Sequence, residues 1–289
     1  MPELPEVEVV KRSLENLITN LAIKNVKINE LNLRYRVKKQ QIKQIVGLKL
    51  LRICRKSKYL LFFFTKDIVM IVHLGMTGKF FIINNKSVKK KTSFYYNLDE
   101  TKDKKHNHII FNFKNGLKLI YNDVRKFGFI KFDSVKKLSN NLHLKNLGPE
   151  PLENFFDFKY FKDYIKGRSR IIKDILMDQK FVSGLGNIYV NEILFYSNVR
   201  PTRKISKLKD FEIQNMLKNT KSILKKAIRL GGSSIKNFSN SSGKNGLFQQ
   251  YFAVYGKSGK YCSNTDCNQT IKKIVLSNRA SFYCPKCQK

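Results

Sequence analysis

The stretch KYLLFFFTKDIVMIVHLG (residues 58–75) contains two apolar runs separated by a few polar residues. Both runs are short and rich in β-branched and aromatic residues, which is typical of β-strands. Comparable runs recur from about Ala22 to Val135, for example HIIFNFKNG, LKLIYND and FGFIKFD, with Gly, Asn and Lys clusters between them. Several short strands at this spacing predict an antiparallel sandwich or barrel.

The segment before these strands has helical periodicity instead. Its apolar residues recur every three or four positions, at Val7, Val10, Leu14 and Leu17. Pro5 suits the first turn of a helix, and the acidic Glu6 and Glu8 are favoured near the positive end of the helix dipole. The opening MPELPEVE therefore predicts a helix start.

After the strands, the sequence pattern becomes helical and then changes again towards the C-terminus. LGPEPL (147–152) has two prolines and a glycine, and helical periodicity follows it. Residues 231–246 are rich in Gly, Ser and Asn, which predicts a loop, and the tail from Tyr251 has the cysteines and aromatics of a small β module. We therefore expect an α+β protein with three parts: an N-terminal β-sandwich flanked by helices (1–146), a helical domain (147–249) and a C-terminal β-hairpin (250–289).

The composition indicates a polyanionic partner. The chain has 289 residues with 57 Lys and Arg against 21 Asp and Glu, a formal net charge of +36. Nucleic acid is the first candidate, although an AT-rich genome also enriches a sequence in lysine. No apolar run reaches the length of a membrane span, and the N-terminus lacks the order of a signal peptide. We expect a reducing, intracellular location and cysteines that bind metal.

Four of the five cysteines fall in the last 28 residues. Four residues lie between Cys262 and Cys267, two lie between Cys284 and Cys287, and sixteen separate the pairs. Two close pairs joined by a hairpin predict a tetrahedral zinc site, and four thiolates leave no open position, so the zinc is structural. Arg279, between the pairs, is placed to bind phosphate, whereas Cys54 is interpreted as a small buried residue.

Several motifs, taken together and in order, resemble the formamidopyrimidine-DNA glycosylases, a family of base-excision repair enzymes for oxidised purines. The motifs are PELPEVE (2–8), KYLL (58–61), HLGMTG (73–78), KHNH (105–108), NDVRKFG (122–128), LGPEPL (147–152), SGLGNIYVNE (183–192) and QQYFAVYG (249–256) with the cysteine module. The resemblance covers the whole chain. It implies a helix-two-turns-helix element in the second part, a lesion-capping loop at about 237–249 and one structural Zn²⁺.

The resemblance also assigns catalytic residues. Pro2, exposed as a secondary amine once Met1 is removed, matches the nucleophile that forms a Schiff base with C1′. An α-amine has a pKa near 8, so part of it is unprotonated at neutral pH. Glu3 matches the general acid and base. Lys58 matches a lysine that approaches the lesion and its phosphate, and Arg279 matches the arginine near the β,δ-elimination.

The remaining matches concern double-stranded DNA that contains an oxidised purine. Met76, Arg125 and Phe127 match three side chains that fill the gap left by a flipped-out nucleotide. Further DNA contacts are implied at His106, Arg168 and Asn187. The resemblance also implies a monomer in the bacterial cytoplasm, associated with the nucleoid and without a membrane anchor.

Three features depart from the family pattern. The first cysteine pair has four intervening residues where two are usual, and NDVRKFG has valine and lysine where proline and a second arginine are typical. The small polar residues of the lesion-capping loop do not reveal what it contacts. Two alternatives stay open: an endonuclease VIII-like glycosylase for oxidised pyrimidines, and a non-catalytic zinc-ribbon DNA-binding protein. A topology enzyme would need a tyrosine nucleophile motif, and none stands out.

Overall fold

The computed structural model describes residues 1–83, 90–91, 104–233 and 247–289. Contacts divide the chain into two compact units: Met1–Lys145 with Leu230–Gln249, and Asn146–Arg229 with Gln250–Lys289. The sequence analysis ended its first part at almost the same residue but separated the cysteine module from the helices; the three-part division stays a prediction. Most of the predicted lesion-capping loop lies outside the described residues.

The first unit contains two antiparallel sheets and a long N-terminal helix. One sheet has five strands in the order β1-β7-β8-β5-β6, and the other has four in the order β2-β3-β4-β9. The helices are α1 (Leu4–Ile18) and α2 (Lys39–Lys43). The strands are β1 (Ile23–Ile28), β2 (Leu50–Lys56), β3 (Tyr59–Phe64), β4 (Ile68–His73), β5 (Gly78–Ile83), β6 (Lys90–Lys91), β7 (Asn107–Phe113), β8 (Lys118–Asp123) and β9 (Phe129–Ser134).

The two apolar runs of the opening stretch are β3 and β4, paired antiparallel with Phe62 opposite Met70. One face of this pair joins the main core of the unit, which also includes residues of α1 and of the five-stranded sheet. The other face, with Leu61 and Phe63, forms a second apolar cluster with Leu138 and Leu144. Burial on both faces explains why these strands are continuously apolar and do not alternate.

The second unit contains four helices and a β-hairpin. The helices are α3 (Phe158–Ile165), α4 (Ile172–Met177), α5 (Asn187–Tyr196) and α6 (Asp210–Arg229), and the hairpin strands are β10 (Lys272–Leu276) and β11 (Arg279–Tyr283). Turns over residues 178–186 connect α4 to α5. The expected α+β fold, with its helical domain and cysteine-bearing hairpin, is confirmed. Among the described residues, no helix has the length and apolarity needed to cross a membrane.

Helix α5 is tied to the start of the C-terminal module by one buried carboxylate. Glu192 is fully buried and accepts the backbone N–H groups of Ala253, Val254 and Tyr255 at 2.7, 3.0 and 2.8 Å. Burial raises the pKa of its carboxyl, whereas the three N–H donors act in the opposite direction. These bonds hold the chain that leads into the hairpin against the middle of α5.

We expect Glu192→Gln to reduce the free energy of unfolding by about 2 kcal/mol, because the new amide group faces the N–H of Ala253 and leaves a buried donor unpaired. Thermal and urea denaturation measure the change. Glu153→Gln is the matched control, since Glu153 is exposed and should shift stability by less than about 0.5 kcal/mol. Equal stability of the two variants would contradict this prediction.

Candidate functional site

The start of α1 forms a buried, charged cluster in the first unit. Pro2 is buried, and Glu3 and Lys58 are 3% and 7% exposed. Burial lowers the pKa of the Met1 α-amino group below its ordinary value of 8.0, Glu3 and Glu6 act to raise it, and Lys58 and Arg125 act to lower it. The structure therefore brings Glu3, Lys58 and Arg125 close enough to the chain start to influence an amine there.

Glu6 connects this cluster to another part of the first unit. Its carboxylate accepts the backbone N–H of Glu3 at 2.9 Å and the backbone N–H and hydroxyl of Ser233 at 2.8 and 3.0 Å. The sequence analysis treated Glu6 only as a favourable residue at a helix start. The structure shows that its carboxylate also links the backbone of Glu3 to Ser233, which lies 227 positions after Glu6 in the chain.

Met76, Arg125 and Phe127 lie together on two adjacent turns, and all three are exposed. Met76 and Phe127 are 41% and 44% exposed, although both side chains are large and apolar. The Arg125 guanidinium is 3.2 Å from the Met76 sulfur and 4.4 Å from the centre of the Phe127 ring. The sequence analysis grouped these residues through the resemblance alone, and the structure brings them into contact.

His73 supports the turn that carries Met76. Its ring stacks on Phe129 at 5.5 Å, and its Nδ1 accepts the backbone N–H of Gly75 at 3.0 Å. Burial, with Lys58 and Arg34 adding to it, lowers the pKa of His73 to about 4. A neutral ring is required for Nδ1 to accept, so the hydrogen bond persists at physiological pH. The sequence analysis did not single out His73.

His106 ends a short 3₁₀ helix, Lys104–His106, before β7 and is partly buried. Arg168, in the second unit, is exposed between α3 and α4. Its guanidinium donates to the backbone carbonyl of Tyr164 at 2.6 Å and lies 4.5 Å from the centre of the Tyr164 ring. The Arg168 side chain thus packs against Tyr164, near the end of α3.

The hairpin turn that presents Arg279 is anchored to α4 and α5. Arg279 is exposed and follows Ser277 and Asn278, whose φ angles of 47° and 58° suit a tight hairpin turn. Asn187 Nδ2 donates to the carbonyl of Ala280 at 2.9 Å. The structure thus places Asn187 at the first turn of α5 and joins its side chain to the residue after Arg279.

Lys173, which the sequence analysis missed, makes a second anchor. It is 1% exposed, and its Nζ donates to the carbonyl of Ala280 at 3.1 Å and to the hydroxyl of Ser281. Burial and the neighbouring Arg279 lower the pKa of Lys173 to about 8. The sequence could not show that Lys173 is buried or what it binds, because its partners Ala280 and Ser281 lie 107 and 108 residues away.

The ligand sulfurs of Cys262, Cys267, Cys284 and Cys287 all lie within 4.8 Å of one another. A tetrahedral ion with sulfur ligands at about 2.3 Å places them about 3.8 Å apart, so the cluster fits one metal ion. The longer first cysteine pair does not prevent this: Asn264, inside the additional residues, donates its Nδ2 to the sulfur of Cys287 at 3.2 Å. Cys54 lies on β2, outside the cluster, and is partly buried.

Comparison with known proteins gives the same family over both units. The profile of the formamidopyrimidine-DNA glycosylase N-terminal domain matches residues 1–130, and that of the formamidopyrimidine-DNA glycosylase H2TH domain matches residues 147–239. The formamidopyrimidine-DNA glycosylase of Rickettsia massiliae is 39% identical over 288 residues, covering 100% of this chain and 97% of the relative. The enzyme of Dinoroseobacter shibae is 36% identical over 289 residues, with 100% of both chains covered.

Solved structures agree. A complex of Lactococcus lactis Fpg with DNA containing an abasic site has a TM-score of 0.84 at 34% identity, covering 99% of both chains. A mutant of the same enzyme bound to DNA containing Fapy-dG has a TM-score of 0.85 at 35% identity, covering 100% of both.

The fold and the site define a DNA glycosylase of the helix-two-turns-helix class. The chain belongs to the formamidopyrimidine-DNA glycosylase family. Its role is the excision of oxidised purines in base-excision repair, and AP lyase activity is a property of this family. The function expected from the sequence is thereby confirmed, and the pyrimidine-specific and non-catalytic alternatives are not favoured.

Proposed function

We propose that this chain excises 8-oxoguanine and formamidopyrimidines from double-stranded DNA through a Schiff base on Pro2 and then cleaves the abasic strand by β,δ-elimination. The observation that carries the proposal is the buried arrangement of Pro2, Glu3 and Lys58 at the start of α1. A buried carboxylic acid, a buried lysine and a chain-terminal amine supply the acid, the cation and the nucleophile that this reaction needs.

In this mechanism, removal of Met1 moves the α-amine to the buried Pro2. Its nitrogen attacks C1′ of the damaged nucleotide, the bond from C1′ to the base breaks, and the base leaves with a proton. Loss of the proton from the Pro2 nitrogen and opening of the sugar ring give an iminium ion, with Glu3 donating and accepting protons at the sugar. Burial lowers the pKa of the Met1 α-amino group. Because Pro2 is itself buried, loss of hydration should likewise favour the unprotonated form of its amine.

The exposed Met76, Arg125 and Phe127 provide the groups that replace the flipped-out nucleotide. A thioether and an aromatic ring stack between bases, and a guanidinium hydrogen-bonds the edge of the base left without a partner. Extruding a nucleotide costs a few kcal/mol, which these contacts offset in part. Complexes of the similar Lactococcus lactis enzyme with DNA containing an abasic site or Fapy-dG support the binding of lesion-containing DNA by this chain.

Contacts to the DNA backbone are proposed for basic and amide side chains of both units. They are Lys58, His106, Arg168, Asn187 and Arg279. The net charge of +36 supplies the non-specific attraction to phosphates. Arg279 stands on a turn held by Asn187 and Lys173, which suits a guanidinium that must meet a phosphate in a fixed position during elimination.

We further propose that the four-cysteine cluster holds one structural Zn²⁺. Zinc would fix the hairpin that carries Arg279 and take no part in the reaction, because the four thiolates fill its coordination. The enzyme is proposed to act as a monomer in the bacterial cytoplasm, associated with the nucleoid and without a membrane partner.

Borohydride trapping tests the proposal, using protein whose loss of Met1 is verified by mass spectrometry. We expect a covalent adduct with an 8-oxoguanine duplex, mapped to Pro2 by peptide sequencing. Parallel reactions use duplexes with an oxidised pyrimidine or with no lesion. Adducts only with the pyrimidine would assign the chain to the endonuclease VIII-like branch, and DNA retention without any adduct would leave a binding protein.

A further inference from the structure

We infer that Thr77 and Asp123 form a two-residue clamp that positions the insertion residues Met76, Arg125 and Phe127. These three side chains stand on two separate turns, one between β4 and β5 and the other between β8 and β9. To fill one gap in DNA, the turns must keep a constant separation. The inference rests on the proposed role of the three side chains in filling that gap.

The clamp begins at the hydroxyl of Thr77, directly after Met76. This hydroxyl donates to the Asp123 carboxylate and accepts the backbone N–H of Arg125 at 3.0 Å. It therefore bonds the last residue of β8 and the second residue of the turn that follows it. A single side-chain oxygen that both donates and accepts is a hydroxyl, so serine can replace threonine here, whereas valine cannot.

Asp123 completes the clamp from the opposite side. It is fully buried, and its second carboxylate oxygen accepts the backbone N–H of Gly128 at 2.8 Å and the hydroxyl of Tyr121 at 3.3 Å. One carboxylate thus binds the turn of Met76 through Thr77 and the end of the turn of Phe127 through Gly128. The Asp123 carboxylate therefore accepts three donors in all: the hydroxyls of Thr77 and Tyr121 and the backbone N–H of Gly128.

The backbones of the two turns also approach closely. A Cβ at Gly75 would lie 2.4 Å from the backbone of Phe127 and Gly128, so this position cannot take a side chain without separating the turns. A Cβ at Gly128 would lie 2.0 Å from the hydroxyl of Tyr121 and 2.8 Å from the carbonyl oxygen of His73, so a side chain there would collide with β8 and the end of β4. Glycine at these positions allows the close approach, and the clamp fixes the position of one turn relative to the other.

The structure explains why the clamp matters for insertion and less for folding. Arg125 and Phe127 are exposed and gain little from packing in the free protein. Their turn is held by hydrogen bonds, and Thr77 supplies the one to the backbone of Arg125. Without the clamp, inserting the three side chains would require ordering this turn at the same time, which costs conformational entropy.

The chain has no tryptophan, so a Phe127→Trp variant carries a single fluorescent reporter at the insertion site. Stacking of this indole between bases should quench its emission when the protein binds a duplex with a tetrahydrofuran abasic analogue, which cannot react. Stopped-flow quenching is measured in the Phe127→Trp background with Thr77, with Thr77→Ser and with Thr77→Val. We expect the serine variant to match threonine and the isosteric valine variant to insert about tenfold more slowly or less completely.

Borohydride trapping on a single-stranded abasic oligonucleotide distinguishes misplacement from misfolding, because a single strand has no gap to fill. A misfolded variant should form no covalent adduct with this oligonucleotide. A folded variant with a misplaced turn should still form it. Thr77→Ala is a second variant, tested by the same quenching and trapping measurements. Loss of trapping in both Thr77→Val and Thr77→Ala would assign Thr77 to folding and overturn the clamp.

Equal insertion by valine and serine variants, with quenching intact, would overturn the clamp and leave the proposed function in place. No quenching in the Phe127→Trp protein with Thr77 would remove the gap-filling role itself, and the clamp with it.

Discussion

A Glu3→Gln variant is expected to excise 8-oxoguanine about 10²- to 10⁴-fold more slowly in single-turnover assays, the usual loss when a positioned general acid and base is removed. Glutamine has the same shape, so the hydrogen bond from the Glu3 backbone N–H to Glu6 can persist. It can neither give nor take a proton at neutral pH. The damaged duplex should therefore bind with nearly unchanged affinity while the chemical step slows.

Glu15→Gln is the matched control for this experiment. Glu15 lies on the same helix and pairs with Lys11 one turn away, at a partly exposed site outside the charged cluster. Removing such a pair costs a few tenths of a kcal/mol and should leave the excision rate unchanged. Excision by Glu3→Gln at the rate of this control would contradict the assignment of Glu3.

The strands and the cysteine hairpin were predictable because their signals are local. The run at residues 59–64 is apolar throughout, and its length alone favours a strand. The association of residues 230–249 with the first unit was not predictable, because it depends in part on the bond from Ser233 to Glu6 across the sequence. A polar loop sequence carries no information about the carboxylate that binds its first residues.

The same limit applies to the candidate site. Met76, Arg125 and Phe127 are found from motifs, but the groups that support them are ordinary polar residues until the fold is known. Thr77 and Asp123 meet because β5 pairs with β8, with Gly78 opposite Asp123. Lys173 gives no sequence signal of burial, since lysines are abundant throughout this chain.

Replacing Cys284 by serine is expected to reduce the bound metal from about one zinc ion per chain to nearly none, because a serine hydroxyl stays protonated at neutral pH and is a poor zinc ligand. Cys284 is fully buried, and its sulfur lies 3.5 Å from that of Cys267. Structural zinc sites contribute about 10–16 kcal/mol of apparent binding free energy in isolated zinc-finger peptides, so a large loss of hairpin stability should follow. Elemental analysis and thermal denaturation measure both effects.

The sequence provides a matched control in Cys54→Ser, which removes a thiol of the same chain outside the cluster. This variant should keep its zinc and its duplex affinity, whereas Cys284→Ser should bind damaged DNA more weakly because strand β11 no longer holds Arg279 in place. The first unit, with Pro2 and Glu3, has its own core and should stay folded in both variants. A Cys284→Ser protein with one tightly bound zinc ion and the wild-type melting temperature would show that the four sulfurs do not form the metal site.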